Sequence, residues 1–127
     1  MEFKVTQEQG RVPVTVIHLN GDLRSDEELT QKAKEAFEAG ARDILLDLTD
    51  VRFMSSAGLR ALHAIFTMLR EDKSEEEINK GIAAGTYKSP HFKLLNPNKN
   101  VKEVLGLTGY DMFLDIHTNT KEAIASF

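Results

Sequence analysis

The sequence predicts an α/β fold: a mixed sheet of about five strands, an N-terminal antiparallel hairpin followed by largely parallel strands, with about four to five helices packed on it. Three observations predict it. Apolar and polar residues alternate at Phe3 and Val5, and again at Val12, Val14 and Val16, on either side of Gln9-Gly10-Arg11. That is the pattern of two short strands joined by a tight turn. Downstream, short apolar runs alternate with stretches of helical spacing, the order produced when crossover helices join parallel strands. Between them lies Ile44, Leu45, Leu46 and Leu48, a run too short for a stable helix and too continuous for a half-exposed strand. A strand buried on both faces of a sheet fits it.

Taken in order, Pro13 belongs at a strand start or on an edge, because it cannot donate to a ladder. The second strand is expected to run to about Leu19 and stop at Asn20-Gly21, a turn signal. Ser25-Asp26-Glu27-Glu28 matches a capping box, opening a helix that buries Leu29, Ala33, Ala36 and Phe37. Gly40 should end that helix in the left-handed conformation. The strand Ile44–Leu48 follows, then a short polar loop, then Ser55-Ser56, then a helix with apolar residues at Leu59, Leu62, Phe66 and Leu69.

The stretch from Glu71 to Phe92 is polar and acidic, broken by Gly81, Gly85 and Pro90. A second capping box, Ser74-Glu75-Glu76-Glu77, with Ile78 and Ile82 behind it, reads as a short extra helix followed by a loop. Phe92, Leu94 and Leu95 form the next strand, closed by Asn96-Pro97-Asn98. A two-turn helix carries Val101, Val104 and Leu105 and ends at Gly106. Met112 to Ile116 is the last strand. Asn119-Thr120-Lys121-Glu122 caps a final helix with Ala123, Ile124 and Phe127. The predicted order is ββαβα(α)βαβα, with no internal repeat and no linker, so residues 1–127 are expected to form one domain.

Composition narrows the function. With 127 residues, 41% hydrophobic and 28% charged, the chain has the make-up of a globular domain rather than a disordered one. The net charge of −4, without a basic cluster, argues against nucleic acid as a partner. There is no cysteine, which removes disulfides, thiolate metal sites and cysteine nucleophiles. No apolar run approaches a membrane span and the N-terminus lacks a signal core, so no membrane insertion is expected and the cytoplasm is the default location.

Catalytic signatures are sparse. His18, His63, His91 and His117 are scattered, without a metal-ligand spacing. Neither a Gly-x-Ser-x-Gly elbow nor a phosphate-binding loop occurs. The expectation is therefore no enzyme, no metal and no cofactor. What remains is the Ser55-Ser56 junction. A serine there ordinarily caps the helix, which is worth about 1 kcal/mol. Yet the chain has two serines where one cap suffices, and Gly58 in the first helical turn costs about 1 kcal/mol relative to alanine. Glycine there is expected to leave the backbone open to close approach by another molecule.

The stretch Ile44-Leu-Leu-Asp-Leu-Thr-Asp-Val-Arg-Phe-Met-Ser-Ser-Ala-Gly-Leu resembles the signature of STAS domains, the family of bacterial anti-sigma factor antagonists. Asn20-Gly21-Asp22-Leu23 is similar to that family's turn before the first helix, and Val104-Leu-Gly-Leu-Thr-Gly-Tyr to its late helix and turn. The resemblance covers all but about residues 72–91, which reads as an insertion, and it implies the STAS-like sheet and helix order derived above.

The resemblance further implies a switch. In the family, a serine at the start of this helix is phosphorylated by a partner that is both serine kinase and anti-sigma factor; the unphosphorylated antagonist binds that partner, and phosphorylation breaks the complex. Aligned on Met54 and Gly58-Leu59, the phosphoserine falls on Ser56. Ser55, where the family usually has aspartate, is the second choice. Asp22, Arg24, Ser55, Ser56, Gly58 and Leu59 are the implied partner-binding residues, and Arg24 stands where an acidic residue is common. The alternative is a non-phosphorylated STAS regulatory subunit of a transporter or lipid-transport complex; a hydrolase using Ser56 is the reading from a third class.

Overall fold

The computed structural model describes residues 1–70, 75–85 and 87–127. Its strands are β1 (Glu2–Gln9), β2 (Pro13–Leu23), β3 (Ile44–Met54), β4 (Phe92–Leu95) and β5 (Ile116–His117), and they lie side by side in chain order. β1 and β2 pair antiparallel, and each later pairing is parallel. The helices are α1 (Glu27–Glu38), α2 (Ser56–Leu69), α3 (Glu75–Ala84), α4 (Lys99–Leu107) and α5 (Thr120–Ala125), with a 3₁₀ turn over Tyr110–Met112. The architecture is the mixed sheet with helices that the hydrophobic pattern predicts.

The central run behaves as a doubly covered strand must. Ile44 and Leu46 belong to the larger core cluster, which takes in Leu29 of α1, Leu62, Ile65 and Phe66 of α2, Ile78 of α3 and Leu105 of α4. Leu45, between them, points into a smaller cluster with Val14, Val16, Leu95 and Ala123 of α5. Alternate residues thus serve opposite faces, α1 to α4 covering one and α5 the other. Gly40 (φ 110°) ends α1 as expected: its N–H bonds the Phe37 carbonyl, and that of Ala41 reaches back to Ala36 at 2.9 Å, a Schellman pair. Asn119 caps α5 by accepting from the Glu122 N–H at 3.0 Å.

Several boundaries differ from the expectation, each for a physical reason. β2 does not stop at Asn20-Gly21. It runs to Leu23, with register shifts between His18 and Asn20 and between Gly21 and Asp22. The glycine (φ 122°) is a bulge inside a strand rather than a turn. β3 likewise continues through the expected polar loop to Met54, because lengthened β2 offers it a partner: Asp22 faces Phe53 and Leu23 faces Met54.

The capping box at Ser25 does not form. Asp26 is the N-cap, without a side-chain cap bond, and its carboxylate is engaged by Arg60 at 3.7 Å. α4 passes through Gly106 to Leu107, and the left-handed residue beyond it is Gly109 (φ 81°). Met112 to Ile116 is not a strand. Gly109 starts a turn that folds Phe113 and Leu114 into the core, Phe113 against Phe66 at 4.9 Å, and only Ile116–His117 pair with β4. Beyond Leu69, Ile78 on α3 is buried, whereas Ser74 of the second capping box, and positions 72–74 and 86 of the expected insertion, lie outside the described residues.

Candidate functional site

The lengthening of β2 and β3 builds the site. Because the bulged end of β2 stays paired with β3, the Leu23 carbonyl accepts from the Ser55 N–H at 2.9 Å. Two sequence motifs some thirty residues apart, Asp22-Leu23-Arg24 and Met54-Ser55-Ser56, therefore meet at one end of the sheet, where α2 begins.

The two serines there are not equivalent. Ser55 is the N-cap of α2: its Oγ accepts from the Gly58 N–H at 3.4 Å and its hydroxyl donates to the Leu23 carbonyl at 3.2 Å. It is partly buried and uses its hydroxyl in both directions. Ser56 is the first helical residue and is exposed. Its hydroxyl makes no hydrogen bond among the described residues, so the capping that a lone junction serine would supply is already done by its neighbour.

Gly58 serves the interior. A Cβ there would stand 2.8 Å from Met54 Cγ and 3.0 Å from Leu23 Cγ. The close approach expected at this glycine is thus made by the chain's own core, not by an outside molecule, and Gly58 is buried. Leu59 is half-buried and packs against the larger core cluster. Of the expected partner-binding residues, Asp22, Arg24, Ser55 and Ser56 have side chains at the surface or partly so.

Charge around the junction is set by arginines. Asp22 is shared by Arg24 and Arg52, each at 3.4 Å, and Arg24 also lies over the ring of Phe53, 5.0 Å from its centre. Phe53 is 45% exposed, a large apolar surface beside two cations. On α2, Arg60 reaches Asp26 at the start of α1. These ion pairs are long and solvent-exposed, so they contribute little to stability and leave the guanidinium groups available. Sequence reading missed Arg52, Phe53 and Arg60. The spacing of Ser56 and Arg60, one turn apart on a helix, was the signal that could have found the last.

Two histidines elsewhere have carboxylate partners of their own. His18 Nδ1 donates to Asp47 at 2.7 Å, with the Thr6 hydroxyl 3.0 Å from Nε2; His91 holds Asp43 at 2.8 Å. Burial would raise the Asp47 carboxyl, but hydrogen bonds from the Thr49 side chain and backbone, and from His18, bring it below the usual value. No group of three or more potential metal ligands occurs among the described residues. A groove of about 800 Å³ runs between the N-terminus and α1, lined by Met1, Phe3, Glu27, Glu28 and Ala64 among others, and neither junction serine lines it. Ser56 is exposed on the first turn of α2.

Known proteins share the family pattern and the fold. A family profile described as the STAS domain matches residues 4–78, which takes in both motifs and α2. No curated protein sequence matches significantly. Among solved structures, one from Thermotoga maritima, whose description proposes an anti-sigma factor antagonist, is 24% identical, covers 96% of this chain and 91% of its own, and superposes with a TM-score of 0.67. An anti-sigma factor antagonist from Mycobacterium paratuberculosis is 17% identical over 98% of this chain and 93% of its own, with a TM-score of 0.71. The Bacillus cell fate determinant SpoIIAA in its phosphorylated form is 21% identical over 97% of this chain and 96% of its own, at 0.62. At such identities these likenesses establish a shared fold. With the profile covering more than half of the 127 residues, the chain belongs to the STAS domain family.

Proposed function

We propose that this chain is an anti-sigma factor antagonist of the partner-switching kind. Unphosphorylated, it binds a kinase-type anti-sigma factor in the cytoplasm; phosphorylated on Ser56, it lets go. It is a regulator, with no catalytic residues of its own. One observation carries the reading: Ser55 takes the whole capping duty at the start of α2, leaving the Ser56 hydroxyl exposed and without a hydrogen-bond partner among the described residues. A serine needed only for stability would not stand free beside the residue that does the work.

The chemistry asked of Ser56 is simple. Its Oγ attacks the γ-phosphorus of ATP held by the partner kinase, the bond to the departing ADP oxygen breaks, and the hydroxyl proton passes to a base of the kinase. The product adds a charge of about −1.5 to −2 at the first turn of a helix, where the dipole and free N–H groups tolerate it. The same charge inside a docking surface disrupts the complex by repulsion and desolvation. Binding can thus be switched while the fold stays intact.

Asp22, Arg24 and Ser56 are assigned to the contact surface. Ser55, Gly58 and Leu59 hold the start of α2 in place beneath it. Support comes from the STAS family match and from folds described as anti-sigma factor antagonists. Incubating the chain with ATP and the kinase-type regulator encoded nearest to it, then mapping phosphopeptides, tests the reading. Phosphate on Ser56 is expected. Phosphate on Ser55 alone, or none with an active kinase, rejects it.

A further inference from the structure

We infer that a phosphate on Ser56 is clasped within the same chain by Arg60, which leaves Asp26 to take it; this rests on the Ser56 switch proposed above. The exposed positions of α2 form one stripe, Ser56, Arg60, His63 and Thr67. Ser56 and Arg60 are therefore neighbours one turn apart on the solvent side. An acid placed four residues before a base is the favoured orientation for such a pair.

Arg60 is loosely held in the unphosphorylated chain. Its Nε lies 3.7 Å from Asp26 Oδ2, well beyond the roughly 2.7–2.9 Å of a charge-assisted hydrogen bond, and its side chain is 65% exposed. A phosphoserine offers about twice the charge of that carboxylate and three acceptor oxygens, which the planar guanidinium can engage in pairs. The other nearby arginines are placed differently. Arg24 and Arg52 share Asp22, and Arg24 also sits over Phe53. Only Arg60 is carried on the stripe with Ser56.

The charged and titratable groups around the clasp are Asp26, Glu27 and Glu28 at the start of α1, Asp22 at the end of β2 with Arg24 just beyond it, Arg52 on β3, and His63 further along α2. Transfer of Arg60 from Asp26 to the phosphate changes this surface twice. A cation that faced outward beside Ser56 becomes neutralised, and the Asp26 carboxylate at the head of α1 is uncovered. Asp22, Asp26, Glu27 and Glu28 already outweigh Arg24, Arg52 and Arg60, so phosphorylation on this account makes a weakly acidic rim strongly acidic.

The test uses the full chain with phosphoserine genetically encoded at position 56, followed by phosphorus NMR through the second ionisation of the phosphate at low salt. Arg60→Ala is expected to raise the midpoint by about half a pH unit or more, and Arg60→Lys to give an intermediate value. Asp26→Asn, which removes the competitor, is expected to lower it. Arg24→Ala, which removes a cation held by Asp22, should raise it by clearly less than Arg60→Ala. An unaltered midpoint in Arg60→Ala, with an amide spectrum that confirms folding, overturns the clasp, and so does an equal rise in Arg24→Ala. No kinase is used, so failure here is separate from failure of the switch, which the phosphopeptide experiment decides.

Discussion

Ser55 is fastened to Leu23 through a single carbonyl, which receives its backbone N–H at 2.9 Å and its hydroxyl at 3.2 Å. This pair of bonds joins the end of β2 to the start of α2 and frees Ser56 from structural duty. Energetic and regulatory roles are thereby divided between adjacent residues of the same type.

The division predicts unequal costs of truncation. Ser55→Ala loses both the cap to Gly58 and the bond to Leu23, and should destabilise the fold by about 1–2 kcal/mol. Ser56→Ala removes an exposed hydroxyl and should stay within about 0.5 kcal/mol of wild type. Urea unfolding of the two variants measures the difference; equal losses would contradict the assignment of the cap.

Gly58 should resist even the smallest side chain. In an isolated helix, alanine would gain about 1 kcal/mol over glycine. Here its Cβ would press on Met54 Cγ and Leu23 Cγ, and overpacking of this kind costs roughly 1–3 kcal/mol. Gly58→Ala is therefore expected to lower the urea midpoint. A raised midpoint would mean that Leu23 and Met54 yield freely.

Asp47 sets an acid-side dependence. Burial opposes its charged form, but Thr49 and His18 more than offset that, so its folded value lies below the ordinary 3.8. The unfolded chain then binds the proton more readily, and stability is lost as pH falls from the unfolded value through the folded one. The stability difference between wild type and Asp47→Asn should be constant near neutrality and shrink below about pH 5. A difference that grows on acidification contradicts the sign.

Lys93 works in the opposite range. Its side chain is 7% exposed, with Nζ donating to the Ser126 carbonyl at 2.8 Å and lying 4.9 Å from the Phe127 ring centre. Burial pushes its ammonium below the ordinary 10.5, against the pull of Asp115 and Asp43. Between the folded value and 10.5 the unfolded chain holds more protons, so stability rises with pH across that window. Wild type should gain on Lys93→Met as pH is raised towards 10.5, read from paired urea titrations; a flat or falling difference would refute it.

Legibility in the sequence followed the range of the forces involved. Gly40 and Asn119 act on backbone groups a few residues away, and both were readable from local pattern. The run at Ile44 was readable because a strand covered on both faces has no polar side to show. Asn20-Gly21 misled, since a glycine at positive φ serves a bulge as well as a turn, and only pairing with β3 decides between them. Met112 to Ile116 misled because a short apolar run has no distinguishing period. At the site, the position of Ser56 was legible from motif and spacing. Which serine caps was not, for that depends on a carbonyl supplied by Leu23. Nor was the role of Gly58, whose neighbours come from two strands.

The central claim is the Ser56 switch, and calorimetric titration of the partner kinase with the chain, carrying either serine or encoded phosphoserine at position 56, addresses it most directly. The unphosphorylated chain should bind, and the phosphorylated one should bind at least about a hundredfold more weakly, the loss expected when a docking surface acquires added negative charge that must be desolvated. Equal affinities for the two forms would contradict it.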